Sequence, residues 1–316
     1  MMNISYAGRF RCAVHDKDGR VVEETGWIKN LVLDQGLKYL GNGAGAEIGE
    51  FATLYIGVGQ KAAAATDTAL QTRISADVYG AATAGNPTHS VNYDPLKPQY
   101  MTRQQVVTRF GPFQSSQNLT EVGLGAGVGG DYFLLTRALI RDATGTPTVL
   151  TVRKGGFLTL TYELVQVWDT APATYKVQAQ IKGTPTEINV TTKLCDVGTL
   201  SYQTLNTQVT RFFADAEAFA GDIGNTIADH PDGERRIITT PKGRWLFDEN
   251  TLTSTATVPV QGITFTDGIK ALRLPTTRGI WQVGLTTAAG KGVVLQAENV
   301  FEMTLAIRHA RYEGEL

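Results

Sequence analysis

Four short stretches of this 316-residue chain carry residue types that could do chemistry. Asp16-Lys17-Asp18-Gly19 opens like a calcium loop, in which spaced carboxylates give oxygen ligands to the cation. The next ligand positions at that spacing read Arg20 and Val22, and the glycine comes too early. The string therefore reads as a hairpin turn in which Gly19 adopts a positive φ. Gly123-Leu124-Gly125-Ala126-Gly127-Val128-Gly129-Gly130 fits a loose G-x-G-x-x-G, the pattern that places a pyrophosphate under a helix N-terminus. Here Asp131-Tyr132-Phe133-Leu134-Leu135-Thr136 follows, which reads as strand and not helix, so the glycines read as a loop. Gly57-Val58-Gly59-Gln60-Lys61 lacks the spacing of a phosphate-binding loop, and no Gly-x-Ser-x-Gly elbow is present. Glu23 and Glu24 are adjacent, and neighbouring strand residues point to opposite faces, so the two carboxylates do not converge on one substrate.

The four histidines, His15, His89, His230 and His309, are dispersed, and no HExxH or CxxC occurs. Cys12 and Cys195 stand far apart and read as two buried thiols. The expectation is a protein with no metal, no cofactor and no catalytic site. The remaining candidates are aromatic. Tyr79, Tyr93 and Tyr100 lie in or beside residues 80–100, a segment punctuated by Gly80, Gly85, Pro87, Pro95 and Pro98 and read as a long exposed excursion. With Tyr6 and Phe10 of the N-terminal strand, they are the candidate interface or receptor contacts, since aromatic rings suit a protein interface or stacking on sugar. The N-terminal strand from Ile4 to Val14 is also a candidate for pairing with a neighbour's sheet edge.

Composition narrows the partners. The formal charge is −1 and the pI about 6.4, which gives no steering toward nucleic acid or an anionic membrane. No run approaches the roughly 20 apolar residues of a membrane span. Met1-Met2-Asn3-Ile4-Ser5-Tyr6 has no basic stretch followed by an apolar one, so no secretory signal is expected.

The elements that must position these residues are mostly strands. Gly and Thr are abundant, charged residues make up 19%, and short alternating runs separated by turns recur throughout. Leu33, Leu37 and Leu40 fall on one helical face, with Asn30 placed to cap the start and Gly41 to end it. A second helical tendency covers Val209 to Ala220. The expected fold is mostly β: two antiparallel β-sandwich-like domains with one or two short helices. The N-terminal domain covers residues 1–168, the Pro- and Thr-containing stretch 169–174 is a linker, and the C-terminal domain covers 175–316. The two halves echo each other. Val122-Gly123-Leu124, a Gly turn, Val149-Leu150 and a strand opening at Phe157 match Val283-Gly284-Leu285, the turn at Gly290, Val293-Val294-Leu295 and a strand opening at Phe301. In this alignment the second copy lacks a counterpart of Leu134–Ile140.

Four motifs in the first half carry a resemblance: Asn30-Leu31-Val32-Leu33-Asp34-Gln35-Gly36-Leu37, Ile56-Gly57-Val58-Gly59, Thr120-Glu121-Val122-Gly123-Leu124 and Thr136-Arg137-Ala138-Leu139-Ile140. Together they resemble the N-x-V-x-D-x-G-L, I-G-x-G, T-E-x-G-L and S/T-R-A-x-I series of tailed-bacteriophage structural proteins, over roughly residues 4–168. The resemblance implies a virion component, a tail fibre or tail-attached appendage, made in the bacterial host's cytoplasm. It implies assembly as a trimer or higher homo-oligomer and contact with other tail or neck proteins. A neck, collar or baseplate adaptor, or a module that binds host surface glycan, is the alternative.

Overall fold

The computed structural model describes residues 2–42, 52–74, 81–83, 88–94, 98–128, 131–181, 183–196, 216–227, 229–238, 246–276, 279–295 and 300–316. Along the chain these form β1 (Met2–His15), β2 (Val21–Glu24), β3 (Ile28–Val32), the helix α1 (Asp34–Gly41), β4 (Ala52–Gly57), β5 (Ala81–Thr83) and β6 (Thr88–Asp94). Then come β7 (Gln99–Phe110), β8 (Gln117–Leu119), β9 (Glu121–Val128), β10 (Asp131–Leu139), β11 (Leu150–Val152) and β12 (Phe157–Asp169). The rest is β13 (Ala173–Ile181), β14 (Thr184–Asp196), β15 (Glu217–Phe219), β16 (Arg235–Ile237), β17 (Leu246–Asp248), β18 (Thr253–Gln261), β19 (Ala271–Thr276), β20 (Gly279–Thr287) and β21 (Val300–Arg311). The fold is mostly β, as the alternation and turn chemistry predict. Two compact units divide the chain. The first holds residues 5–92, 101–167 and 310–316, and the second holds 1–4, 93–100 and 168–309.

The first unit begins with a hairpin. Ile4, Tyr6, Phe10, Cys12 and Val14 of β1 are buried at alternate or near-alternate positions. The turn into β2 is closed by Asp16, whose Oδ1 accepts from the N–H groups of Asp18 and Arg20, both at 2.9 Å, while Gly19 takes φ 83°. Antiparallel pairs then give the strand order β1-β3-β10-β9-β4. The second unit holds an antiparallel sheet in the order β13-β14-β20-β19-β15, with β16 beyond it.

These two orders are one topology used twice, and the registers around Arg137 and Gln282 agree residue by residue. Arg137 lies opposite Leu31 and Gly123, and Gln282 lies opposite Lys193 and Arg273. Gly57 faces Glu121 on one side and bridges Arg73 on the other; Phe219 faces Ala271 and pairs with Arg235. The stretches from Gly57 to Arg73 and from Phe219 to Arg235 have the same length. Equivalent backbone bonds recur: Thr120 N–H to Gly57 O and Lys270 N–H to Phe219 O, both 3.0 Å, and Val58 N–H to Thr72 O at 2.9 Å beside Ala220 N–H to Glu234 O at 3.0 Å. The turn after β10 also has its double after β20, since Gly145 N–H bonds Asp142 O and Gly290 N–H bonds Thr287 O.

The pairing revises the repeat expected from sequence. Val283-Gly284-Leu285 is the counterpart of Ala138-Leu139-Ile140, and not of Val122-Gly123-Leu124, whose own counterpart is Leu272-Arg273-Leu274. The second copy has a counterpart of Leu134–Ile140 after all, because β20 takes the place of β10. The shared Val-Gly-Leu string is a coincidence of composition between two strands with different neighbours.

Other expectations are revised in the same way. The helix starts at Asp34, with Leu33 at its N-cap, because Asn30 is held inside β3 by strand pairing. The second expected helix falls largely on residues outside those described, and its end, Glu217–Phe219, is the buried strand β15. The described parts of 80–100 are the strands β5, β6 and the start of β7, not an irregular excursion, so Pro98 stands just outside a strand instead of interrupting one. The stretch 169–174 is a tight connection between β12 and β13. Thr170 is buried and its N–H bonds Pro98 O at 2.7 Å, so strand ends fix what composition reads as a linker. β1 already pairs with β2, β3 and β12, so it offers no free edge for a neighbour.

In α1 the buried residues are Gly36, Leu37, Leu40 and Gly41, and Asp34 sits in the first turn, where it favours the helix N-terminus. A Cβ on Gly36 would stand 2.2 Å from the carbonyl oxygen of Leu135, a backbone atom in β10 that has no room to move. Gly36→Ala is expected to destabilise the protein by about 3 kcal/mol, the upper end of overpacking costs. Urea unfolding checks it, with a lowered midpoint and an unchanged slope as the expected result.

Candidate functional site

The most constrained chemistry among the described residues is a buried ionic cluster in the first unit. Glu121 at the start of β9 is 0% exposed and Arg137 of β10 is 1% exposed. A charge taken from water at that depth must be paired and hydrogen-bonded, and these two pair with each other. The Glu121 carboxylate accepts from Arg137 Nε at 2.9 Å and from the backbone N–H groups of Gly59, Gln71 and Thr72 at 3.0, 3.1 and 2.8 Å. Arg137 also donates to the Asp67 carboxylate and, at 2.8 Å, to the carbonyl of Lys61. Thr120 Oγ1 donates to Gly59 O at 2.6 Å.

Every partner outside β9 and β10 belongs to one stretch, residues 59–72. This loop has no helix or strand of its own, so its backbone groups need partners from elsewhere. Glu121 and Arg137 supply them from the floor of the sheet. Leu70 adds an apolar anchor, packing with Leu33, Tyr55 and Leu134. Burying such a side chain is worth about 1.5–3 kcal/mol. Asp67 closes a local turn by accepting from the Ala64 N–H at 2.9 Å. Burial opposes its charge, but the Ala64 N–H, the Arg137 guanidinium and Lys61 outweigh it and hold its carboxyl below the usual value. Gly59 is required for the approach, since a Cβ there would stand 2.4 Å from Glu121 Oε1.

The second unit holds the equivalent loop by other means. Gln282, in the place of Arg137, is 0% exposed; its Oε1 accepts from Gly224 N–H at 2.8 Å and its Nε2 donates to Asp229 O. Lys193 Nζ donates to the carbonyls of Gly224 and Thr226, both at 2.9 Å. Asp229 stands where Asp67 stands and makes the same turn, accepting from Thr226 N–H at 2.6 Å. Glu121 is replaced by Ala271, and the space this frees is matched across the pair by Phe219 in the position of Gly57. The second unit thus lacks both members of the ion pair, so neither charge stands there without the other.

Neither cluster is arranged for catalysis. The Glu121 oxygens are fully occupied, so the carboxylate has no free lone pair aimed at a substrate. Sequence spacing gives no sign of two further polar groupings. Asn30, Thr136 and Tyr162 form a buried triad, with Thr136 Oγ1 and Tyr162 Oη 2.8 Å apart; burial raises the phenol pKa and keeps it neutral. Ser254 Oγ lies 2.9 Å from His309 Nε2, the distance of a nucleophile and its base. Ser254 is 0% and His309 1% exposed, however, and a nucleophile must reach its substrate. Burial also pushes the Cys12 thiol up to about 12, so it is not a nucleophile at neutral pH. Among the described residues, no three His, Cys, Asp or Glu side chains converge on a cation position. No described helix is long and apolar enough to cross a membrane.

Of the aromatic candidates, Tyr79 lies outside the described residues. Tyr93 is in β6, and Tyr100 is half-buried in β7. Tyr6 and Phe10 are 3% and 0% exposed, because the alternation of β1 turns them inward. The exposed aromatic of this hairpin is Trp27, 38% exposed, with the Arg9 and Arg11 guanidiniums 4.4 and 5.2 Å from its ring centre. Searches of known protein families, curated proteins and solved structures returned no match to this chain.

Arg137→Gln leaves Glu121 buried without its counter-charge and is expected to cost about 3–5 kcal/mol. The double variant Glu121→Ala/Arg137→Gln copies the second unit's solution. Its cost should fall at least about 1 kcal/mol below the sum of the two single variants. A double-mutant cycle by urea unfolding measures this, and additive costs would refute the pairing.

Proposed function

We propose that the chain is a structural subunit of a tailed-bacteriophage virion, a tail fibre or tail-attached appendage that works by assembly and not by catalysis. One observation supports this above the others. The residues that resemble those virion proteins converge in space: Gly59 of I-G-x-G, Thr120 and Glu121 of T-E-x-G-L and Arg137 of T-R-A-x-I form a single clamp on one loop. Asp34 of the opening motif pairs with Arg311, and its Gly36 packs on the backbone of Leu135. These residues specify a scaffold, and none of them is left available to a substrate. A scaffold used twice in one chain, with a net charge of −1 and its buried Glu121 and Arg137 paired with each other, suits a particle built from repeated contacts. Its partners on this reading are copies of itself and neighbouring tail or neck proteins, and its place is the virion.

The test is the mass of the purified protein by light scattering coupled to size exclusion. A stable trimer or higher ring is expected, with the mass unchanged on dilution over the micromolar range. A monomer at every concentration would remove the support for self-assembly.

A further inference from the structure

Two short edge strands carry complementary sequences. β2 reads Val21-Val22-Glu23-Glu24, and all four residues are exposed, Val21 and Val22 at 54% and 61%. β16 reads Arg235-Arg236-Ile237, and all three are exposed, Ile237 at 60%. Among the described residues β2 is hydrogen-bonded to β1 alone and β16 to β15 alone, so each leaves one row of backbone groups for another strand. β2 belongs to the first unit and β16 to the second.

We propose that β2 of one copy adds to β16 of the next, joining copies of this chain head to tail. Laid antiparallel, the two strands bring Glu24 opposite Arg235, Glu23 opposite Arg236 and Val22 opposite Ile237. Two opposite-charge pairs and one apolar pair then fall in a single register, and cross-strand neighbours of this kind are the unit of sheet stabilisation. Laid antiparallel on its own copy, β2 would set Val21 against Glu24 and Val22 against Glu23, and β16 would set Arg236 against Arg236, so neither self-pairing gains an opposite-charge pair. The contact is therefore between unlike surfaces, and contacts of that type generate closed rings or open filaments and not isolated two-fold dimers. Arg235 and Arg236 of β16 already bond Glu217 and Glu234 of their own chain, so Glu24 and Glu23 of the next copy would join existing ion pairs.

This inference rests on the assembly reading, and a charge-swap experiment separates the two. Glu23→Lys and Arg236→Glu are made in the full chain as separate proteins. Arg235 is left alone because it bonds Glu217, which also holds Arg273. Glu23 is exposed, so Glu23→Lys should melt at the wild-type temperature; Arg236→Glu also loses the Glu234 ion pair and the Phe265 ring contact, and thermal unfolding verifies that it remains folded at the temperature of the assay. Each variant by itself should self-associate about tenfold more weakly than wild type by light scattering. An equimolar mixture should regain wild-type assembly, because each reversed strand then meets its reversed partner. Wild-type assembly by the single variants, or no recovery on mixing, overturns the edge contact and leaves self-assembly standing. A monomeric wild type overturns both.

Discussion

A carboxylate with no access to water sets the terms for the first unit. Glu121 is ionised chemistry placed in the floor of a sheet, and at that depth an unpaired charge would cost several kcal/mol. Its four hydrogen bonds are what make the position tolerable, and three of them come from the backbone of the loop that follows β4. The dependence runs both ways. Gln71 and Asp67 of the loop accept from the N–H groups of Gln60, Lys61 and Ala64, and Glu121 accepts from those of Gly59, Gln71 and Thr72, tying the two ends of the loop to β9. Arg137 closes the arrangement by neutralising the carboxylate and reaching on to Asp67 and Lys61.

The second unit builds the clamp from different groups and without a buried glutamate–arginine pair. Gln282 and Ala271 replace Arg137 and Glu121 at the same register positions, Lys193 adds bonds to the loop, and Phe219 occupies the place of Gly57. What the two versions keep is geometry: the same loop length, the same Asp turn and polar side chains on central strands aimed at the same backbone.

Much of this was legible in the chain before folding, and the misses have causes. The alternation of β1, the Asp-Gly turn and the leucine spacing of α1 identify their elements because each is a local signal. The duplication is visible as an echo, but the string comparison puts it in the wrong register, since Val-Gly-Leu recurs by composition in a Gly- and Val-rich protein. Strand pairing is non-local, and only it reveals that Gly284 answers to Leu139. Tyr6 and Phe10 look available because aromatic residues near a terminus often are. Their parity within β1, set by which face meets the core, makes them core residues instead. Glu121 and Arg137 stand in plain view inside two motifs, yet nothing in their spacing says that they meet each other or the loop. That follows from adjacent antiparallel strands bringing distant positions together.

The measurement that bears most directly on the clamp is native-state amide hydrogen exchange of the loop. If Glu121 organises it, the N–H groups of Gly59 and Thr72 exchange only through global unfolding, with protection matching that of β9. Exchange at the rate of an open surface loop, while β9 stays protected, would mean that the carboxylate does not hold these amides and that the account of the fold built on it is wrong.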